Sequence, residues 1–273
     1  MRWQRGGRSS NLEDRRGMGG GAMKMGAGGI IVLLVISLLT GRNLFDDAGG
    51  ALTTGTGGGT FTAADSAAEE DQVQFVSFVL DDAQATWSRI FSQSGQQYRE
   101  ARLVLFRDAV QSQCGVGQSG MGPFYCPLDE SVYLDLVFFD ELARRFEAPG
   151  DFAQAYVIAH EIGHHVQHQL GIADRVRAAQ RNDPRRANEM QVAMELQADC
   201  YAGVWGNGTA RREMLERGDV EEALGAASAI GDDRIQAQTQ GQVNPESFTH
   251  GSAAQRAAAF RRGLETCDPG SCA

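Results

Sequence analysis

Between residues 73 and 95 the apolar positions Val76, Val79, Leu80, Ala83, Trp87, Ile90 and Phe91 fall at three- and four-residue spacing, which predicts an amphipathic helix. The pattern then changes. Residues 101–106 (ARLVLF) and 132–136 (VYLDL) have the β-branched, aliphatic and aromatic content of short strands, and the Gly- and Pro-containing stretch between them reads as a loop. Four helices follow, each marked by a start signal. Asp151 with Gln154 forms a variant capping box for a helix over 152–170, which Gly171 closes. Asp183 followed by Pro184 opens a helix that reaches about Trp205 and stops at Gly206. Asp219 with Glu222 opens the next, and Ser252 with Gln255 the last. With the strands ahead of most of the helices, the expected class is α+β.

The amino-terminal region follows another pattern. Residues 26–40 read GAGGIIVLLVISLLT, uncharged and almost wholly aliphatic from Ile30 to Leu39. A membrane-spanning helix needs about 20 apolar residues, roughly 17 at the least, so a cleaved signal or a buried core helix competes with an anchor. The run leaves through Thr40-Gly41-Arg42 without a small-residue cleavage pattern, and Ile30–Val35 shows no polar face. A single-pass anchor over 26–41 fits best. Basic residues precede it, so the positive-inside rule puts residues 1–25 in the cytoplasm as a basic tail and sends the rest outside as a periplasmic or extracellular domain. Residues 42–70, rich in Gly, Thr and Ala, read as a flexible tether, which leaves 71–273 as the folded domain.

Charge sharpens this picture. The 273-residue chain carries a net charge of -10, and residues 1–24 hold six basic against two acidic side chains, so the remainder stands at -14. An acidic body lacks the clustered cations that bind a phosphate backbone, which excludes nucleic acid as a partner.

The chemistry lies in His160-Glu161-Ile162-Gly163-His164, an HExxH pattern inside the 152–170 helix. Histidines at i and i+4 project from one helix face and reach a single ion, while the Glu between them faces the ion's water. A catalytic zinc shell takes three protein ligands plus water. Gln167 and Leu170 stand where an HExxHxxGxxH extension needs Gly and His, and His165 and His168 read as solvated or outer groups. Glu195 is the better third ligand: Glu195 and Asp199 share a helix face, so one can bind metal while the other accepts the free N–H of a ligating histidine. Glu189 is the fallback ligand.

The Glu195-x-x-x-Asp199 pattern resembles the second zinc helix of thermolysin-like gluzincins, and by that resemblance Glu195 is the third ligand and Asp199 orients His160. The stretches GPFYCPLDESVYLDLVFF (122–139), YVIAHEIGHHVQ (156–167), MELQADCYAGVW (194–205), AIGDDRIQ (229–236) and SFTHGSAAQR (247–256) resemble the neutral zinc metallopeptidase family of bacterial membrane-anchored proteins over nearly the whole chain. That resemblance implies a zincin-like domain with one Zn2+ per chain and a peptide or protein substrate.

The expected reaction is hydrolysis of a peptide bond by zinc-activated water, with Glu161 as general base and then general acid. His250, just before the last helix, is the first choice to stabilise the oxyanion, with Tyr201 as the alternate donor. Two other readings share the residues: a zinc-stabilised scaffold without catalysis, and an amidase acting on cell-wall peptides. Of the five cysteines, Cys114 with Cys126 and Cys267 with Cys272 are expected to pair if the body lies outside the cytoplasm, leaving Cys200 as buried filler.

Overall fold

The computed structural model describes residues 1–17, 67 and 69–272. The expected anchor at 26–41 and nearly all of the tether lie outside the described residues. No helix among the described residues is long and apolar enough to cross a membrane.

The body is α+β, as expected. Six strands are numbered β1 (Leu12–Asp14), β2 (Arg102–Phe106), β3 (Ala109–Ser112), β4 (Gly115–Gln118), β5 (Phe124–Cys126) and β6 (Ser131–Asp135). The helices are α1 (Glu70–Gln93), α2 (Val137–Arg144), α3 (Asp151–Gln169), α4 (Ile172–Asn182), α5 (Ala187–Arg211), α6 (Asp219–Ala229), α7 (Asp232–Gln240) and α8 (Ala253–Thr266). One sheet runs β1-β2-β6-β5, parallel at its first two pairings and antiparallel between β6 and β5. The antiparallel pair β3–β4 forms a separate hairpin.

Strand alternation explains why both faces of this small sheet are covered. Leu103, Leu105, Val132 and Leu134 point into the main core with Val76, Leu80 and Ile158 of the helices. Val104, Phe106 and Tyr133 point the other way and pack with Val110 and Cys126 beneath the hairpin. The Cys114–Cys126 disulfide ties the hairpin turn to β5, as the sequence suggests. Helix α3 lies at the centre, packed on α1, α5, α6 and β5.

Several boundaries depart from the sequence reading. Helix α5 runs through Gly206 to Arg211, because its glycines serve close packing and do not terminate it. A Cβ at Gly203 would strike the Phe260 carbonyl of α8, and one at Gly263 would strike the Cys200 carbonyl of α5. Asp183–Pro184 opens only a short 3-10 turn before α5. Asp151 caps nothing with its side chain; Glu222 of α6 accepts the Phe152 N–H at 3.1 Å and so caps α3 from outside.

That α5–α8 contact also reassigns the cysteines. Cys272 pairs with Cys200 and Cys267 is free, in place of the expected Cys267–Cys272 bridge. Cys267 caps α8 in the left-handed conformation, and the Pro269–Cys272 turn folds the chain back over α5, where Cys200 is buried. Peptide mapping under non-reducing conditions should recover linked 114–126 and 200–272 pairs. Reducing the 72-residue closure by Cys272→Ser should cost about 4 kcal/mol, whereas Cys267→Ser should leave the unfolding midpoint unchanged.

The largest correction concerns the expected cytoplasmic tail. Residues 1–17 form part of the folded body: β1 pairs with β2, and Trp3 packs edge-on against Phe75 of α1 at 5.4 Å. Arg16, 1% exposed, is held by Asp14 at 2.7 Å and Glu69 at 2.5 Å. The Asp14 carboxyl, bound by Arg16 and only partly desolvated, is held at about 2. Residues 1–17 are thus packed into the same folded unit as 69–272, where the sequence reading expects a separate basic tail. Arg16→Ala leaves two acidic partners without their buried cation and should cost about 3 kcal/mol in denaturant unfolding. Loss of the segment's packing should also expose residues 1–16 to limited proteolysis.

Candidate metal centre

Helices α3 and α5 carry the centre, and one glycine sets how closely they cross. A Cβ at Gly163 would lie 2.9 Å from the Ala198 carbonyl oxygen and 3.1 Å from its Cα. The backbone of α5 therefore passes directly against the HExxH turn. His160 Nε2 and His164 Nε2 each lie 3.3 Å from Glu195 Oε2, and ligand atoms of the three residues fall within 4.8 Å of one another. His160 and Glu195 are buried.

Outer hydrogen bonds fix which ring nitrogens face inward. His160 Nδ1 lies 2.7 Å from Asp199 Oδ1, a carboxylate that can only accept, so Nδ1 carries a proton. Gln167 donates through Nε2 to the Met194 carbonyl at 2.7 Å, which leaves its Oε1 to accept from His164 Nδ1 at 2.9 Å. Gln191 donates to Glu195 Oε1 at 2.8 Å, leaving Oε2 toward the rings. Two imidazole nitrogens and a carboxylate oxygen thus converge in a buried space, a donor set that suits Zn2+.

Electrostatics point the same way. Burial alone would lower the His160 pKa, but the Asp199 charge and hydrogen bond, with Glu195 adding to them, push it up to about 10. Burial would raise the Glu195 carboxyl, yet the two histidines hold it well below the usual carboxylate range. The pocket favours positive charge beside Glu195.

These groups open on a cleft of about 480 Å3 whose walls include Tyr125, Phe138, His160, Glu161, Glu195 and His250. Glu161, 7% exposed, lies within it between the two histidines in sequence. His250 reaches the cleft because Asp232, at the start of α7, accepts from the backbone N–H groups of Thr249, His250 and Gly251. The same carboxylate lies 3.3 Å from His250 Nδ1. Strand β5 lines another side, and its edge away from β6 pairs with no described strand.

Other expectations fail on position. Tyr201 is 3% exposed and packs edge-on against Trp87 in the core, outside the cleft lining, so it cannot be the alternate donor. Glu189 is exposed and pairs with Arg186, away from the histidines. His165 is fully buried; it bonds the Arg99 carbonyl at 2.7 Å and the Tyr125 hydroxyl at 2.8 Å, tying α3 to β5. Gln167, Gln191 and Arg256 were missed by the sequence reading. In the sequence Gln167 stands out only as a departure from a longer histidine motif, and its i+3 spacing from His164 is the signal that points to its role.

Gly163→Val should force α3 and α5 apart at the point where their donors meet. Zinc affinity, read by chelator competition, should fall by at least tenfold, with helix content by circular dichroism close to wild type.

A family described as "Putative neutral zinc metallopeptidase" matches residues 1–273. The chain is similar to "Uncharacterized protein YpfJ" of Escherichia coli (strain K12), 46% identical over 282 residues that cover 100% of this chain and 98% of the relative. It is also similar to "Uncharacterized protein Rv2575" of Mycobacterium tuberculosis (strain ATCC 25618 / H37Rv), 45% identical over 186 residues that cover 64% of this chain and 62% of the relative. No solved structure gives a significant match. The cluster of His160, His164 and Glu195 agrees with the metal in the family's description, and the chain belongs to the putative neutral zinc metallopeptidase family.

Proposed function

We propose that the protein is a zinc endopeptidase whose metal is held by His160, His164 and Glu195. The observation that carries this reading is the convergence of two imidazole Nε2 atoms on one carboxylate oxygen, 3.3 Å from each, beside Glu161 in an open cleft. Bound zinc supplies a Lewis acid that acidifies water and polarises a carbonyl.

The chain's own groups do the rest. The Glu161 carboxylate accepts a proton from the attacking water and passes it to the amine that leaves. His250, oriented by Asp232 through Nδ1, donates from Nε2 in its imidazolium form toward the oxygen on which negative charge develops. Asp199 and Gln167 hold the two ligating rings, and Gln191 holds Glu195. The unpaired edge of β5 offers backbone N–H and C=O groups to an extended peptide lying along the cleft. Such a partner needs no chain terminus for its recognition, which favours endopeptidase over exopeptidase action. The two disulfides support a workplace outside the cytoplasm, where thiols are oxidised.

Replacing Glu161 with Gln preserves shape but removes the base. Zinc content by elemental analysis should stay at one per chain, while cleavage of a peptide library should drop by about 100- to 10,000-fold. Equal cleavage by the wild type and E161Q would refute the assignment. Absence of cleavage by the wild type at full zinc loading would favour the scaffold reading.

A further inference from the structure

Asp199 has no exposed surface, and four hydrogen bonds from three side chains end on its two oxygens. His160 Nδ1 and the Tyr156 hydroxyl reach Oδ1 at 2.7 Å and 2.5 Å. Arg256 spans both oxygens, Nη2 to Oδ1 at 3.0 Å and Nε to Oδ2 at 2.9 Å. The guanidinium comes from α8, 57 residues further along the chain, and is 2% exposed.

We propose that Arg256 is a positioning residue for the metal centre: through its two-point grip on Asp199 it sets the ring orientation and tautomer of His160. The proposal rests on the zinc reading only for its consequence in metal binding.

The direction of each hydrogen bond follows from Arg256. A guanidinium has donors and no acceptor. Its Nη2, 3.2 Å from the Tyr156 oxygen, must donate there, so the Tyr156 hydroxyl proton is free to point only at Asp199. Asp199 Oδ1 then receives Tyr156 from one side and Arg256 from another, leaving the remaining direction for the His160 Nδ1 proton. With Nδ1 committed to Asp199, Nε2 is the ring nitrogen that faces Glu195. The third arm, Nη1, donates to the Ile230 carbonyl just past α6 at 3.2 Å, which anchors the guanidinium in one plane. Lysine carries a point charge on a flexible stem and cannot hold both oxygens in this way. The capping box of Ser252 and Gln255 starts α8 at Ala253, three residues before Arg256, so the arginine projects from the ordered beginning of the helix.

The test is a double-mutant cycle of Arg256→Lys with Asp199→Asn, read by zinc competition with a chromogenic chelator. Each single change should weaken zinc by about 10- to 100-fold, and the pair should weaken it no further than the worse single, because Arg256 acts only through Asp199. Multiplying losses, or wild-type affinity in R256K, would overturn the proposal. A second readout uses metal-free protein, so it stands apart from the zinc assignment: nitrogen-15 histidine spectra should show a slowly exchanging His160 Nδ1 proton in the wild type and a rapidly exchanging one in R256K. Slow exchange in both would likewise overturn it. Failure of the wild type to bind zinc, with that exchange contrast intact, would sink the peptidase assignment and leave the role of Arg256 standing. Should R256K not fold, R256Q is compared with D199N/R256Q: rescue of folding by the neutral pair supports Arg256 acting through Asp199, and no rescue assigns it to the Ile230 anchor instead.

Discussion

The centre depends on how near two helix backbones can come. HExxH places two imidazoles on α3, but a third donor on another helix reaches them only if that helix runs within side-chain distance of the same turn. Gly163 permits this, since the Ala198 carbonyl of α5 occupies the space a side chain would need. Three residues before Ala198, Glu195 then extends its carboxylate to both rings. A wider crossing would leave a buried carboxylate and two buried rings without mutual compensation, and such groups are costly apart.

Holding α5 there requires support on its far side, and α8 provides it. The glycines at 203 and 263 let α5 and α8 touch along their backbones, and the Cys200–Cys272 bridge ties the end of the chain across the contact. Arg256 crosses the same interface from α8 to Asp199. Packing, disulfide and buried ion pair therefore act on one short stretch of α5, the turn from Asp199 to Gly203 that directly follows the turn from Glu195 to Asp199. A three-donor metal site tolerates little displacement, so concentrating the restraints on that turn is physically economical.

How much of this was legible follows from the range of each interaction. His160, Glu161 and His164 were readable because a helix converts a four-residue spacing into a shared face without help from the rest of the fold. Glu195 and Asp199 were readable for the same reason, once a second metal-bearing helix was sought. Gln167 and Gln191 hold their partners from the same helices at i+3 and i+4, yet glutamine is so ordinary on helices that spacing alone does not distinguish it. Arg256 and the Cys200–Cys272 pair were not readable, because they join segments brought together only by the α5–α8 contact. Gly206 misled for a related cause: glycine ends helices and also permits close packing, and sequence does not show which neighbour it meets. Residues 1–17 misled through charge. Their arginines suggested a solvated tail, whereas Arg16 is buried among carboxylates and Arg8 pairs with Glu70 and Asp14.

The cleft has two walls of different character. On the helical side the donors are fixed by buried hydrogen bonds from several elements. On the other side stand β5 and the residues just before it, Met121 being 70% exposed at the rim. Little sheet backs this wall, since among the described residues β5 pairs only with β6. Its restraint comes from the Cys114–Cys126 bridge to the hairpin and from His165, which joins α3 to the Tyr125 hydroxyl. The His165–Tyr125 link matters because His165 adjoins His164 in the zinc helix. One helix thereby carries His160 and His164 and also holds the strand that lines the facing wall, so the width of the cleft is set by the same backbone that positions the donor cluster.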